Sequence, residues 1–165
     1  MNRILTVALA ATAFAATPAL AQDAAVAAPN SFTGARVGVN LGIADDNAFG
    51  TEVVTYGVDA GYDFDLGGAV AGVSVEAQDS KDTGRDLSIT GRAGAKVSSN
   101  AMVYALAGYS NLEVFDDFNI DGVRFGAGVE VAPTSNLFVK LEQRYTNYEL
   151  DAEVWQTLVG VGARF

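Results

Sequence analysis

From residue 34 onward the chain alternates between apolar residues and small or polar ones with a period of two, the signature of strands with two unlike faces. In residues 34–43 one set is Ala35, Val37, Val39, Leu41 and Ile43, and the other is Gly34, Arg36, Gly38, Asn40 and Gly42. The pattern returns with Val54, Tyr56, Val58, Ala60, Tyr62 and Phe64 against Thr55, Gly57, Asp59, Gly61 and Asp63. A third segment sets Ala69, Ala71, Val73, Val75 and Ala77 against Val70, Gly72, Ser74, Glu76 and Gln78. A fourth sets Leu87, Ile89, Gly91, Ala93, Ala95 and Val97 against Ser88, Thr90, Arg92, Gly94 and Lys96. The fifth, residues 101–115, is apolar on both faces and admits either register, with Val103, Ala105 and Ala107 as lipid-compatible as Met102, Tyr104 and Leu106. The sixth sets Val123, Phe125, Ala127, Val129 and Val131 against Arg124, Gly126, Gly128 and Glu130. The seventh has Leu137, Val139, Leu141 and Tyr145 against Phe138, Lys140, Glu142 and Arg144. The last has Trp155, Val159, Val161, Ala163 and Phe165 against Gln156, Gly160, Gly162 and Arg164.

These segments predict eight strands of about 10 residues each, the length a tilted strand needs to cross a bilayer. No proline interrupts a predicted ladder, since the three stand at 18, 29 and 133. Tight turns are predicted at residues 65–68, 98–100 and 133–135, where Gly, Ser, Asn, Asp and Pro cluster. The alternate connections, 44–53, 79–86, 116–122 and 149–153, read as longer loops at the opposite end. Short turns on the periplasmic side and longer loops outside are the outer-membrane arrangement. The fold class predicted is therefore all-β, an eight-stranded antiparallel up-and-down transmembrane barrel.

A soluble barrel of lipocalin type would use the same alternation with the apolar set inside. Two features favour the inverted, membrane arrangement. Ten glycines (38, 42, 57, 61, 72, 94, 126, 128, 160 and 162) lie on the polar set, while aromatic residues such as Tyr56, Tyr62, Phe64, Phe125, Tyr145, Trp155 and Phe165 lie on the apolar one. An eight-stranded lumen has little room for side chains, so small residues belong inside. The polar set also carries Arg36, Asp59, Asp63, Glu76, Arg92, Lys96, Arg124, Glu130, Lys140, Glu142, Arg144 and Arg164. Facing these to lipid would cost roughly 2–4 kcal/mol for each midplane Arg or Lys. Facing them inward lets them neutralise one another, and they are the candidate lumen charge network.

Composition narrows the chemistry. There is no cysteine and no histidine, which removes disulfides, thiolate metal sites and Ser/His/Asp catalysis. No cofactor is expected and an enzyme is not expected. The net charge of −10 opposes a nucleic-acid partner. Much of the acidity (Asp45, Asp46, Glu52, Asp79, Asp86, Asp116, Asp117, Asp121 and Glu153 among it) falls in or beside the four longer connections. Asp45, Asp46, Asp116 and Asp117 are the candidates for holding a hard divalent cation, against the plainer reading of solvated loop charge.

Residues 1–21 read as a secretory signal: Arg3, an apolar stretch too short to span a bilayer as a helix, then Pro18 and Ala19-Leu20-Ala21. Residues 22–33 read as a flexible periplasmic lead-in, and residues 34–165 as the barrel.

On these residues the chain resembles the outer-membrane β-barrel family that includes the OmpA transmembrane domain and the opacity-type surface proteins. The terminal VGVGARF is similar to the signal that the barrel-assembly machinery reads, with Phe165 its final aromatic, and residues 104–114 and 123–131 resemble fifth and sixth strands of that family. The resemblance implies a Gram-negative outer-membrane location, outer-membrane lipid and lipopolysaccharide as surroundings, the assembly machinery as a partner, and a monomer. It departs from the family in two respects: no peptidoglycan-binding domain follows Phe165, and the loops are short for an opacity-type adhesin. The function expected is a structural or surface barrel with a plugged polar lumen and acidic extracellular loops, serving envelope integrity or surface interaction. The alternatives are a narrow, porin-like small-ion pore and a soluble periplasmic lipocalin-like binding barrel.

Overall fold

The computed structural model describes residues 32–46, 51–81, 84–115, 118–149 and 152–165. They form β1 (Gly34–Asp46), β2 (Thr51–Asp65), β3 (Ala69–Ser80), β4 (Asp86–Lys96), β5 (Ala101–Phe115), β6 (Phe118–Val131), β7 (Leu137–Tyr148) and β8 (Ala152–Arg164). Each strand pairs antiparallel with its sequence neighbour, and β1 pairs with β8 to close the barrel. Closure leaves no free ladder edge, which is what a β-structure in lipid requires. Among the described residues no helix is long and apolar enough to cross a membrane.

The two faces separate as the alternation predicts. Outside, Val39, Leu41, Val58, Ile89 and Val159 are about half exposed, at 54, 61, 56, 57 and 48 %. Inside, Asp63 and Glu130 are fully buried. A soluble barrel would reverse this, so the lipocalin-like arrangement does not hold. The apolar band has the height of a bilayer core. Trp155 on β8 and Phe165 just past its end, both outward, stand ten residues apart, which at ~3.3 Å per residue and a tilt near 40° gives a band of about 25 Å. Trp155 packs on Tyr145 with ring centroids 5.0 Å apart, and Tyr62 on Phe64 at 4.9 Å, so aromatic pairs stand toward both rims.

β5 takes the register that puts Met102, Tyr104 and Leu106 inside, at 0, 5 and 7 % exposure, and Val103 outside. Glycines on the flanking strands decide it. Tyr104 lies between Gly94 of β4 and Gly128 of β6, and a Cβ at Gly128 would come within 2.7 Å of its ring.

The connections differ from expectation. The strands run on into the segments read as longer loops, with Asp45 opposite Glu52 and Asn111 opposite Asp121. This leaves only 47–50, 81–85, 116–117 and 149–151 between strands, no longer than the turns at the other end. Polar side chains do not end a ladder once the chain leaves the apolar band, because the backbone amides still gain by pairing. At the terminal end the β2–β3 turn is set by Gly67, whose φ is +87° and whose amide donates to Asp65 Oδ1 at 2.8 Å.

Residues 1–31, and with them the secretory signal and most of the lead-in, lie outside the described residues. Phe32, assigned to the lead-in, is 1 % exposed and packs inside the barrel with Val70, Met102 and Ala132.

Candidate functional site

The inward positions of seven of the eight strands, all but β5, carry one connected set of charges. At the end where β1 starts and β8 finishes, Asp63 of β2 accepts from Arg92 Nε at 2.8 Å and Nη2 at 2.6 Å. The same carboxylate pairs with Arg36 at 3.2 Å and Arg164 at 3.1 Å. Glu130 of β6 bridges Arg92 at 2.7 Å and Arg164 at 2.6 Å. At mid-height Asp59 accepts from Arg36 at 2.7 Å, Lys140 at 3.0 Å and Asn40 at 3.0 Å. Glu142 pairs with Lys140 at 3.5 Å and Arg144 at 2.6 Å and accepts from Tyr104 Oη at 2.6 Å. Glu76 takes both amino groups of Arg144, at 2.6 and 2.8 Å, and lies 3.9 Å from Arg124. Towards the far end Asp86 accepts from Arg124, Ser110 and Tyr148.

Long side chains fit here because their neighbours across the ladder are small. Gly72 faces Arg92, Gly126 faces Arg144, Gly160 faces Lys140 and Gly162 faces Phe138. A Cβ at Gly72 would fall 2.1 Å from Asp63 Oδ1, the atom that holds Arg92. The glycines of the polar set therefore supply the volume that the ion pairs occupy.

Charge is balanced. Among the described residues the network joins six cations (Arg36, Arg92, Arg124, Lys140, Arg144 and Arg164) to six anions (Asp59, Asp63, Glu76, Asp86, Glu130 and Glu142), each at most 8 % exposed. Five of the anions meet two or three basic groups apiece, the sharing that makes a buried carboxylate tolerable. The chain's net −10 resides elsewhere, part of it on the far strand ends at Glu52, Asp79 and Glu153, which are exposed.

Two corrections to the sequence reading follow. Lys96 does not join the network: it lies at the β4 end and pairs with Asp65 at 2.6 Å, both about one-fifth exposed. Asp86, assigned to a loop, points inward because it shares the parity of Ser88 and Arg92 on β4. That parity was the available signal; the loop composition around it obscured it. Tyr104, Ser110 and Tyr148, which bond to the network, carried no charge to mark them in the sequence.

Arg164 holds Glu130 and Asp63 through Nη2, while its Nε and Nη1 have no hydrogen-bond acceptor among the described residues. Its guanidinium instead lies against the rings of Phe32 and Phe138, 5.8 and 5.7 Å from their centroids, within the range of cation–π attraction.

Of the cation candidates, Asp45 and Asp46 lie at the end of β1, opposite Glu52 and Thr51. Asp116 and Asp117 lie outside the described residues, and among the described residues no three carboxylates converge as a metal cluster. Phe165 faces outward at 76 % exposure, and its amide donates to the Ala35 carbonyl at 2.8 Å across the closing seam.

A family model described as an outer membrane protein β-barrel domain matches residues 7–165. The chain belongs to that family. A 22 kDa outer membrane protein of Rhizobium leguminosarum bv. viciae is 31 % identical over 150 residues, covering 78 % of this chain and 70 % of its own length. This member of the outer-membrane β-barrel family is accordingly a protein of the Gram-negative outer membrane, seated in its lipid. Neisserial surface protein A has the same fold at 16 % identity, with a TM-score of 0.55 over 79 % of this chain and 96 % of that one. The outer membrane enzyme PagL also shares it, at 12 % identity and a TM-score of 0.54 over 78 % of this chain and 99 % of that one. A surface protein and an enzyme at equal likeness mean that the barrel alone does not select an activity.

Proposed function

We propose that this protein is a non-enzymatic structural barrel of the outer membrane, closed to solutes by its charged lumen and presenting an acidic end to the exterior. The observation carrying this reading is the balanced six-and-six network, which runs from Arg164 and Glu130 at one end to Arg124 and Asp86 towards the other. Opening a path through it would strip ion pairs that are bridged on several sides, at about 3–5 kcal/mol for each uncompensated charge. Phe32 adds an apolar stopper at the terminal end, which the reading places in the periplasm. The missing histidines and cysteines support the non-enzymatic half, because general-base and thiolate chemistry lack their usual residues.

In the cell the barrel would act through its presence in the lipid: as a rigid envelope component among lipopolysaccharide, delivered by the assembly machinery through its terminal Phe165 and working as a monomer. Planar-bilayer recording tests the closed lumen. The purified barrel is expected to leave the membrane silent at every applied voltage, and discrete ohmic steps would favour the small-ion pore instead. A deletion strain tests the envelope role, with increased entry of large antibiotics expected, restored by the intact gene. Unchanged sensitivity would remove that role.

A further inference from the structure

We propose that the far mouth of the barrel is a binding cup for a small, uncharged, largely apolar molecule carrying one hydrogen-bond acceptor. Near the mouth the inward residues Ala44, Val53, Leu112, Ile120, Ala152 and Val154 form an apolar arc on five strands around a cavity of about 210 Å³, which Ser80, Asp86 and Tyr148 complete on the other three. Polar residues line the rest of it, among them Gln78, Gln156, Thr55 and Arg124. An apolar arc at the end of a charged lumen adds nothing to the ion-pair network. Apolar walls with a few polar groups are the layout of a ligand site.

The polar lining also holds an unused donor. Gln78 is 5 % exposed, and its Oε1 accepts from Gln156 Nε2 at 3.1 Å, while its own Nε2 has no acceptor among the described residues. A buried amide donor left unpaired is costly, and a ligand carbonyl or hydroxyl oxygen would satisfy it. The polar lining favours a neutral ligand over an anion. Its one guanidinium, on Arg124, is committed to Asp86, Ser88 and Thr146, so no cation is free to take a carboxylate or phosphate. Size sets the class: a dry cavity of roughly 150 Å³ accepts benzene, so this one suits a single ring with a short polar substituent.

The isoleucines supply an internal control for the test. Ile120 lines the cup, whereas Ile43 and Ile89 face lipid at 54 and 57 % exposure. The full barrel, methyl-labelled at isoleucine in lipid nanodiscs, is titrated with acetophenone, ethylbenzene and benzoate. The expected result is a saturating shift of the Ile120 methyl with acetophenone, about tenfold tighter than with ethylbenzene, which lacks the acceptor. Benzoate is expected to shift it least. Ala152→Trp, which fills the cup, should abolish saturation; Val154→Phe serves where the larger ring disturbs folding. Parallel, unsaturable shifts of all three isoleucines would mean simple partition into lipid and would overturn the site. Equal affinity for acetophenone and ethylbenzene would overturn the role of Gln78. Either result can occur in a barrel that conducts no ions, so the cup and the closed lumen stand or fall separately.

Discussion

Asp63 shows how much one lumen carboxylate holds. It lies 2.6–3.2 Å from three guanidinium groups on β1, β4 and β8, so it ties together both sides of the closing seam and the wall beyond. Asp63→Ala leaves Arg36, Arg92 and Arg164 crowded around Glu130 and Asp59 alone. A loss of about 3–5 kcal/mol is expected, read as a lower urea midpoint in lipid vesicles with Trp155 as the reporter. Trp155 is the chain's sole tryptophan and faces lipid, so its emission follows the unfolding of the barrel alone. An unchanged midpoint would show that the ion pairs contribute little beyond filling space. Gly128→Val tests the volume argument separately. Its side chain meets the Tyr104 ring and Glu142, and overpacking of this kind costs about 1–3 kcal/mol.

At the scale of a strand, parity governs. A one-residue slip of a strand would turn that strand's lumen charges to lipid, so the register is tied to the network as firmly as to the ladder. Val161 faces outward near the middle of the β8 band. Val161→Arg is expected to destabilise by about 2–4 kcal/mol in the same urea assay, whereas its neighbour Arg164 is held inside by Glu130. Phe165 presents an exposed ring beyond the last ladder residue and does little for packing. Phe165→Ala is expected to slow insertion in cells by several-fold while leaving refolding into detergent unchanged. A matching defect in both settings would make its role structural rather than one of recognition. Strands one to four and six to eight were legible from alternation because each has one clearly polar face. β5 was not: with apolar residues on both faces its register depends on which flanking strands offer glycines, and that is known only once the pairings exist.

For the whole molecule, closure makes the barrel a single cooperative object. β1 meets β8 with Arg36 opposite Arg164, two like charges that are tolerable side by side only because Asp63 lies between them. The folded protein is expected to migrate apart from the boiled form on a detergent gel, and coincident migration would argue against a stable closed barrel. Phe32→Ala removes the ring that packs on Arg164 and Val70. With the charge network left intact, bilayers are expected to stay silent and the stability read from urea unfolding to fall by about 3–5 kcal/mol. Conductance in that variant would identify Phe32, rather than the ion pairs, as the barrier.

By itself the sequence determined the strand count, the antiparallel order and the inversion of faces, because a period of two with glycine and charge on one side has few other physical solutions. It also marked eleven of the twelve members of the charge network by residue type and parity. What only the tertiary structure decided was partnership. Whether Lys96 joins the network or meets Asp65 at the rim, whether Asp86 is a loop acid or a lumen acid, and which face of β5 looks inward all depend on distances across the barrel. So does the cup at the far mouth, whose apolar arc comes from residues on separate strands, each an ordinary apolar residue in its own segment. Alternation is a local property and is written in the chain. Charge balance and cavity shape belong to the closed surface, and they exist only once the eighth strand has met the first.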